Sequence, residues 1–360
     1  MYFSGLMQVS KEIIKWYKIN KRNLPWREET DPFKIWLSEV ILQQTRVEQG
    51  LPYYQKFTHR YKNISQLANA KDDEVMKLWQ GLGYYSRAVN MLNTARIIAK
   101  QHKAVFPRTY DELIKLKGIG PYTAAAIASF AYDEPKAVLD GNVYRVLSRL
   151  FEIKEAINSS NGKKVFSALA DEMLSKKNPG IYNQGIMELG ALVCKPRNPL
   201  CEECPVKLFC NAYKNKTIYN FPVKSKKAKP RERFIAYFLV DQKGTTFIKQ
   251  RLGKGIWKGL YELPNIELEQ MAEINHLINT DEWKCLFDES KKMNIEQIYQ
   301  AKHQLTHQTI FAHFYKITSL QKIIIKDKLC KSVKQSDLKL YAVSRLFDKF
   351  LNYLNLHSNQ

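Results

Sequence analysis

The chain has 360 residues, of which 45% are hydrophobic and 26% charged; 57 Lys and Arg stand against 35 Asp and Glu, a formal net charge of +22. A chain of this length can bury two cores, and the composition is that of a soluble globular protein with no apolar run long enough to cross a bilayer. The positive excess points to a polyanionic partner, with nucleic acid ahead of an anionic membrane surface or a merely lysine-rich exterior. The opening residues lack the basic start, long apolar centre and small-residue cleavage site of a secreted precursor, so a cytoplasmic location is expected.

From Met1 to about Asn211 the apolar spacing is helical, as at Val9, Ile13, Trp16 and Tyr17 or at Phe166, Leu169, Met173 and Leu174. Within this part, Leu113–Arg145 predicts a helix, a tight turn at Gly118-Ile119-Gly120, a helix of small residues and a loop that delivers Asp140 beside Gly141. The two glycines allow the sharp turn and a close approach of N–H groups to a phosphate. On these residues alone Glu39 reads as an exposed helix charge and Asp140 as a helix N-cap. Cys194, Cys201, Cys204 and Cys210 form a C-x6-C-x2-C-x5-C ladder. A reducing compartment argues against two disulfides, and so compact and unequal a ladder suits a [4Fe–4S] cluster better than zinc.

A basic, proline-marked connection covers 223–232, and the texture then changes. RFIAYFLV, the turn-like DQKG and TTFIKQR predict a hairpin, TIFAHFYKI another strand, and DLKLYAVSRLFDKFLNYL a closing helix. The expected architecture is a mainly α domain over 1–222, carrying the cluster loop 194–210, and a small α+β domain over 233–360. Cys285 and Cys330 stand apart and read as small buried hydrophobes. GLGYYS lacks the third glycine of a dinucleotide fingerprint, and no Walker loop is present. His303 and His307 have the spacing of a helical zinc pair, but the β-like HQTIFAHFY beyond them argues against it.

Taken together and in this order, LKGIGPYTA (Leu116–Ala124), VLDGNV (Val138–Val143) and the cysteine ladder resemble the iron–sulfur branch of the helix-hairpin-helix DNA glycosylase superfamily. LPWRE (Leu24–Glu28), SEVILQQTRV (Ser38–Val47), WQGLGYYSRA (Trp79–Ala88) and MELGALVC (Met187–Cys194) narrow the resemblance to its adenine DNA glycosylases, the MutY family. The resemblance covers nearly all of 10–222 and implies removal of adenine opposite 8-oxoguanine or guanine in duplex DNA, by a monomer holding a [4Fe–4S] cluster. Related bifunctional enzymes have a Schiff-base lysine where this chain has Tyr122, and a phenol cannot form an imine, so a monofunctional hydrolase is expected. Lys115 and Lys117 precede the hairpin and read as solvated, phosphate-facing charges.

By the same resemblance, Glu39 is the acid that protonates N7 of adenine and Asp140 the carboxylate that stabilises the oxocarbenium-like sugar, with Tyr122 and Asn142 orienting Asp140 and the water. Gly118, Ile119 and Gly120 would hold the DNA backbone. Trp26, Arg27 and Gln184 would enclose the extruded base, and Gln44 and Tyr84, with Leu82 beside them, would fill the gap it leaves. Tyr85 reads as core. The second domain resembles the Nudix fold, anchored by GIWKGLYELP (Gly255–Pro264), but NIELEQMAEINHLI lacks the R-E-x-x-E-E core of Nudix hydrolysis, so a lesion reader is expected. The family reads 8-oxoguanine through a Phe-Ser-His loop. Here Leu305-Thr306-His307 takes its place, keeping a hydroxyl at Thr306 and the imidazole at His307 and replacing the aromatic with Leu305.

Overall fold

A computed structural model describes residues 2–225, 229–253, 255–270, 272–288 and 292–357. The basic connection expected at 223–232 lies partly outside these residues, at 226–228. The chain forms two compact units, Met1–Asn69 with Asn90–Lys227 and Ala70–Val89 with Ala228–Gln360. No helix among the described residues is long and apolar enough to cross a membrane.

The first half of the helical part comprises α1 (Tyr2–Asn20), α2 (Pro32–Leu42), α3 (Val47–Arg60), α4 (Ile64–Ala68), α5 (Asp72–Leu78) and α6 (Ser86–Gln101). The second comprises α7 (Tyr110–Leu113), α8 (Pro121–Tyr132), α9 (Gly141–Phe151), α10 (Ser160–Met173), α11 (Pro179–Leu192) and α12 (Asn211–Lys214). The helical spacing read from the sequence corresponds to burial: Val9 and Ile13 of α1 share one core with Val143, Val146, Leu147 and Leu150 of α9, Phe166 and Met173 of α10, and Ile186 and Leu189 of α11. Two short helices place the chemistry. α2 begins where Asp31 caps Phe33 N–H and Pro32 takes the first helical position, and it is buried on nearly every side. α9 begins at the cap Asp140, whose carboxylate accepts from Asn142 N–H and Val143 N–H.

Ala70–Val89, which the sequence reading places in the first domain, is fastened inside the second unit. Tyr85 Oη donates to Val343 O at 3.0 Å, Lys77 Nζ to Tyr341 O at 3.3 Å and Tyr261 Oη to Asp73 Oδ2 at 3.2 Å.

Two sheets build the rest of this unit. Strands β1 (Arg231–Val240), β2 (Thr245–Gln250), β3 (Tyr261–Glu262), β4 (Asn265–Leu268), β5 (Asn294–Gln304), β6 (Gln308–Thr318) and β7 (Lys331–Lys334) pair in the orders β4-β1-β6-β5 and β3-β2-β7. β1 lies parallel to β6 and antiparallel to β4. Its unbroken apolar run is explained by burial on both faces: Ile235, Tyr237 and Leu239 enter one core, and Ala236, Phe238 and Val240 another. The hairpin expected between β1 and β2 is therefore not a paired ladder. Both edges of β1 are occupied by β4 and β6, and β2 joins the other sheet. The closing helix also starts later than the spacing predicts: Gln335–Leu340 forms 3-10 turns, and only α15 (Arg345–His357) is α-helical. Between the sheets' strands lie two short helices, α13 (Ile274–Leu277) and α14 (Asp281–Leu286). Cys285, expected to be buried, is exposed, and Cys330 is half-buried.

Candidate active site

Glu39 is not the exposed charge that its spacing suggests. Only 6% of its surface is accessible, because its neighbours on α2, from Ile35 through Ile41, are also buried. Burial pushes its carboxyl up to about 7, against the lowering effects of the Tyr122 hydrogen bond and Arg27 and with a further rise from Asp140. Tyr122, at the second position of α8, donates its phenolic O–H to Glu39 Oε2. Burial, with the carboxylates of Glu39 and Asp140 adding to it, holds that phenol well above its usual range, so it remains a donor. Its hydrogen bond thus goes to Glu39, and the Asp140 carboxylate acts on it as a neighbouring charge.

Asp140 receives a different set of partners. Oδ1 accepts Asn142 N–H at 2.8 Å and Val143 N–H at 2.7 Å, and Oδ2 accepts Asn142 Nδ2–H at 2.7 Å. Burial raises its carboxyl above the ordinary value, while these donors, from Val143 first and then Asn142, oppose the rise. Three N–H donors and no acceptor is the environment of an anion. Two carboxyls therefore meet in one unit, both raised by burial but differently supplied: Glu39 has the single Tyr122 donor, whereas three N–H donors favour the charged form of Asp140. Asn142 is held in turn by Arg145, whose Nη2 donates to Asn142 Oδ1 at 2.8 Å and whose Nε donates to Cys194 O at 2.7 Å.

The hairpin before α8 departs in one respect from the sequence reading. Gly118 needs its lack of a side chain, with φ +94 and Thr94 Oγ1 only 2.9 Å from where a Cβ would stand. Gly120 is the N-cap of α8 with φ −88, an ordinary conformation. Ile119 is buried at 4%, whereas Gly118, Gly120, Lys115 and Lys117 are exposed. One anchor thus points inward and the backbone around it faces solvent.

A cleft of about 290 Å³ is lined by Tyr17, Lys18, Lys21, Arg27, Ile181 and Gln184. It brings together Arg27 and Gln184 as expected, and Tyr17 donates to Gln184 Oε1. Trp26 is 6% exposed and packs edge-on against Tyr54, 5.2 Å between centroids, so it belongs to the core behind the cleft and is not among its lining. Gln44 and Tyr84 share a property no motif reveals: both are exposed, and both hold left-handed backbone at φ 55 and φ 47. Such conformations cost a non-glycine residue on the order of 1 kcal/mol and collect at functional sites. Leu82, expected beside them, is buried at 5%. Within the second unit the Arg87 guanidinium lies over the rings of Trp79 and Tyr84 at 5.1 and 5.7 Å and donates to Gly83 O. Tyr84 Oη meets Thr306 Oγ1 at 2.9 Å, in the exposed β5–β6 turn that also carries His307. Leu305 packs inward against the core below.

The four cysteines of 194–210 are free thiols on one loop. Among the described residues no three His, Cys, Asp or Glu side chains close on a single metal ion. Burial, followed by the other three sulfurs, pushes the Cys204 thiol up to about 12, so it is held protonated, and the positive charge of bound iron would favour its thiolate; four thiols on one short loop suit a cuboidal cluster. Arg149, itself 3% exposed, directs Nη1–H to Cys194 Sγ at 3.4 Å. Cys204→Ala is expected to remove iron and the visible absorption of the purified chain and to lower its melting temperature by several degrees, measured by elemental analysis and thermal unfolding. Stoichiometric zinc in place of iron would refute the cluster.

The residues not anticipated from the sequence are Glu188, Arg22, Arg145 and Arg87. Glu188 is fully buried on α11 and receives three hydrogen bonds from Arg22 and one from Arg27. A lone acid inside the apolar run Ile186–Cys194 is the signal that marks it.

A helical domain with this hairpin, two unlike carboxyls and a four-cysteine loop defines a base-excision DNA glycosylase. Residues 37–172 match the HhH-GPD superfamily base excision DNA repair protein, 194–210 the iron-sulfur binding domain of endonuclease III, and 235–353 the NUDIX domain. More particularly, the chain belongs to the adenine DNA glycosylase family. It is 36% identical to the adenine DNA glycosylase of Buchnera aphidicola subsp. Schizaphis graminum, over 85% of this chain and 84% of that protein. It is 35% identical to the one from Rattus norvegicus, over 76% of this chain and 64% of that protein. A solved thermostable thymine-DNA glycosylase superposes with a TM-score of 0.54 at 27% identity, covering 59% of this chain and 98% of its own. The chain is thus a DNA glycosylase with a [4Fe–4S] loop and a Nudix-like second domain.

Proposed function

We propose that this glycosylase excises adenine opposite 8-oxoguanine or guanine in duplex DNA, acting as a monomer in the cytoplasm and extruding the base before hydrolysis. The contrast between Glu39 and Asp140 carries the reading. Adenine leaves poorly as an anion, so its excision needs a proton donor on the base and a negative charge facing the sugar as positive charge develops there. Glu39, with its raised carboxyl, serves as the donor, and Tyr122 holds it in place. Asp140 faces the sugar, oriented by Asn142. Arg27 and Gln184 bind the base edge, an assignment supported by Arg27 Nε, which is buried without a hydrogen-bond partner among the described residues. Gly118, Ile119 and Gly120 hold the backbone phosphates.

Gln44 and Tyr84 are each assigned to the gap left by the base, and Leu82, close to Tyr84 in sequence, is buried. The Tyr84–Thr306 hydrogen bond favours a reader in which the intercalating residue and the β5–β6 turn act together, with His307 beside them. Single-turnover assays on duplexes carrying A, C or thymine glycol opposite guanine and 8-oxoguanine test the function: A alone should be released. Loss of thymine glycol with strand cleavage would point instead to a lyase. For the reader, Thr306→Ala with His307→Ala is expected to cut the preference for 8-oxoguanine over guanine about tenfold, one or two hydrogen bonds' worth, with the A·G rate nearly unchanged. An unchanged preference would remove this turn from lesion reading.

A further inference from the structure

Glu188 accepts Arg22 N–H at 3.1 Å, Arg22 Nε–H at 2.7 Å and Arg22 Nη2–H at 2.9 Å, and it also accepts Arg27 Nη2–H. Arg22 alone would satisfy a structural carboxylate, for it supplies three donors and a full charge. The second arginine holds Glu188 further toward its charged form but is itself left incomplete: it spends one N–H on the pair and keeps Nε buried and unpartnered among the described residues. A buried donor in that state costs about 1–3 kcal/mol, which a structural ion pair has no reason to carry. Arg27 also lines the cleft and acts on Glu39, where its charge works against the protonated form.

We propose that Glu188 is a positioning residue of the glycosylase reaction, aiming Arg27 into the base cleft and cancelling its charge beside Glu39. The proposal rests on the reading of Glu39 as the acid. The groups that face Glu39 are Tyr122 from α8, Arg27 from the segment before α2 and Asp140 at the head of α9. Tyr122 and Asp140 are fixed by their own hydrogen bonds, so Arg27 is the one whose effect depends on a counter-ion. Glu188 itself is held below the usual carboxylate range: burial works to raise it and the two arginines overcome that, which keeps it charged throughout the working pH range. Tyr17, which contacts the same cluster, stays a neutral donor because burial raises its phenol.

The test is the pH profile of single-turnover excision from an A·8-oxoguanine duplex, between about pH 5 and 9, on the full cluster-loaded chain. In the wild type the rate falls as Glu39 loses its proton. Glu188→Gln keeps an acceptor for the arginines and removes only the charge, so that fall should move about one pH unit lower. Arg27→Gln should move it higher. A purely structural Glu188 would lower the rate equally at every pH and leave the fall in place, which overturns the proposal. Should Glu188→Gln be insoluble, an unmoved profile in Arg27→Gln overturns it as well. Glu39→Gln runs alongside: if that variant stays active, the acid assignment has failed, a result separable from either shift.

Discussion

Glu39→Gln is expected to lower the single-turnover rate of adenine excision by about 10²–10⁴-fold while leaving binding to an uncleavable lesion duplex near the wild-type level. The amide keeps the shape of the side chain and an oxygen for the Tyr122 phenol, so the packing of α2 against α8 survives and only the transferable proton is lost. A companion effect has the opposite sign. The carboxyl of Glu39 sits near 7 in the fold and near 4.5 in the unfolded chain, so the folded state binds the proton more tightly between those values. Stability from this group is present below about 4.5, declines as pH rises and is lost above 7, a difference of about 3 kcal/mol. Glu39→Gln should therefore be less active but more stable than wild type at alkaline pH, by thermal unfolding, with the gap closing toward pH 5. Equal stability at all pH values would mean that Glu39 titrates normally and is not held as an acid.

Asp140→Asn should be nearly as damaging, by about 10²–10³-fold, because it removes a fixed negative charge from the place where the sugar becomes positive. Its structural cost should be visible too. Asn is as good an N-cap as Asp, and its oxygen can still accept Asn142 N–H and Val143 N–H. The other arm then presents an amine to Asn142 Nδ2–H, two donors facing each other, and Asn142 cannot turn over to accept because its oxygen is engaged by Arg145. A loss of about 1–2 kcal/mol is expected from this conflict. Glu39→Gln lacks this penalty, so activity and stability should fall together in Asp140→Asn and diverge in Glu39→Gln. An Asp140→Asn variant that excises adenine at the wild-type rate would exclude Asp140 from the chemistry.

Some of this was legible in the one-dimensional pattern because the pattern is local. Helical spacing in α1 and α10 reflects which faces are buried, and the cysteine ladder lies within one short loop whose ligand spacing is its own signature. Tyr122 is equally plain, because the absence of an amine at that position is a property of the residue and not of its surroundings. Asp140 was readable as an N-cap, since capping depends only on the next three residues, and the structure keeps that role.

What the sequence could not decide depends on groups far apart in the chain. Glu39 on an isolated helix is an ordinary surface acid; its carboxyl is raised because the surrounding core excludes water, an effect that outweighs the opposing Tyr122 hydrogen bond and Arg27 charge. Glu188 became a counter-ion only when Arg22 and Arg27, about 160 residues earlier, folded onto it. Ala70–Val89 joined the second unit through Tyr85, Lys77 and Asp73, whose partners are more than 180 residues away. β1 and β2 read as a hairpin because their turn is local, yet β6 and β4 claimed both edges of β1. By itself the sequence determined the chemical inventory: two carboxyls, four thiols, a phenol in place of an amine, and two glycines at a turn. The tertiary structure decided how strongly each carboxyl is buried and which donors it meets, because solvation and neighbouring charge set an acid's strength and neither is a property of sequence position.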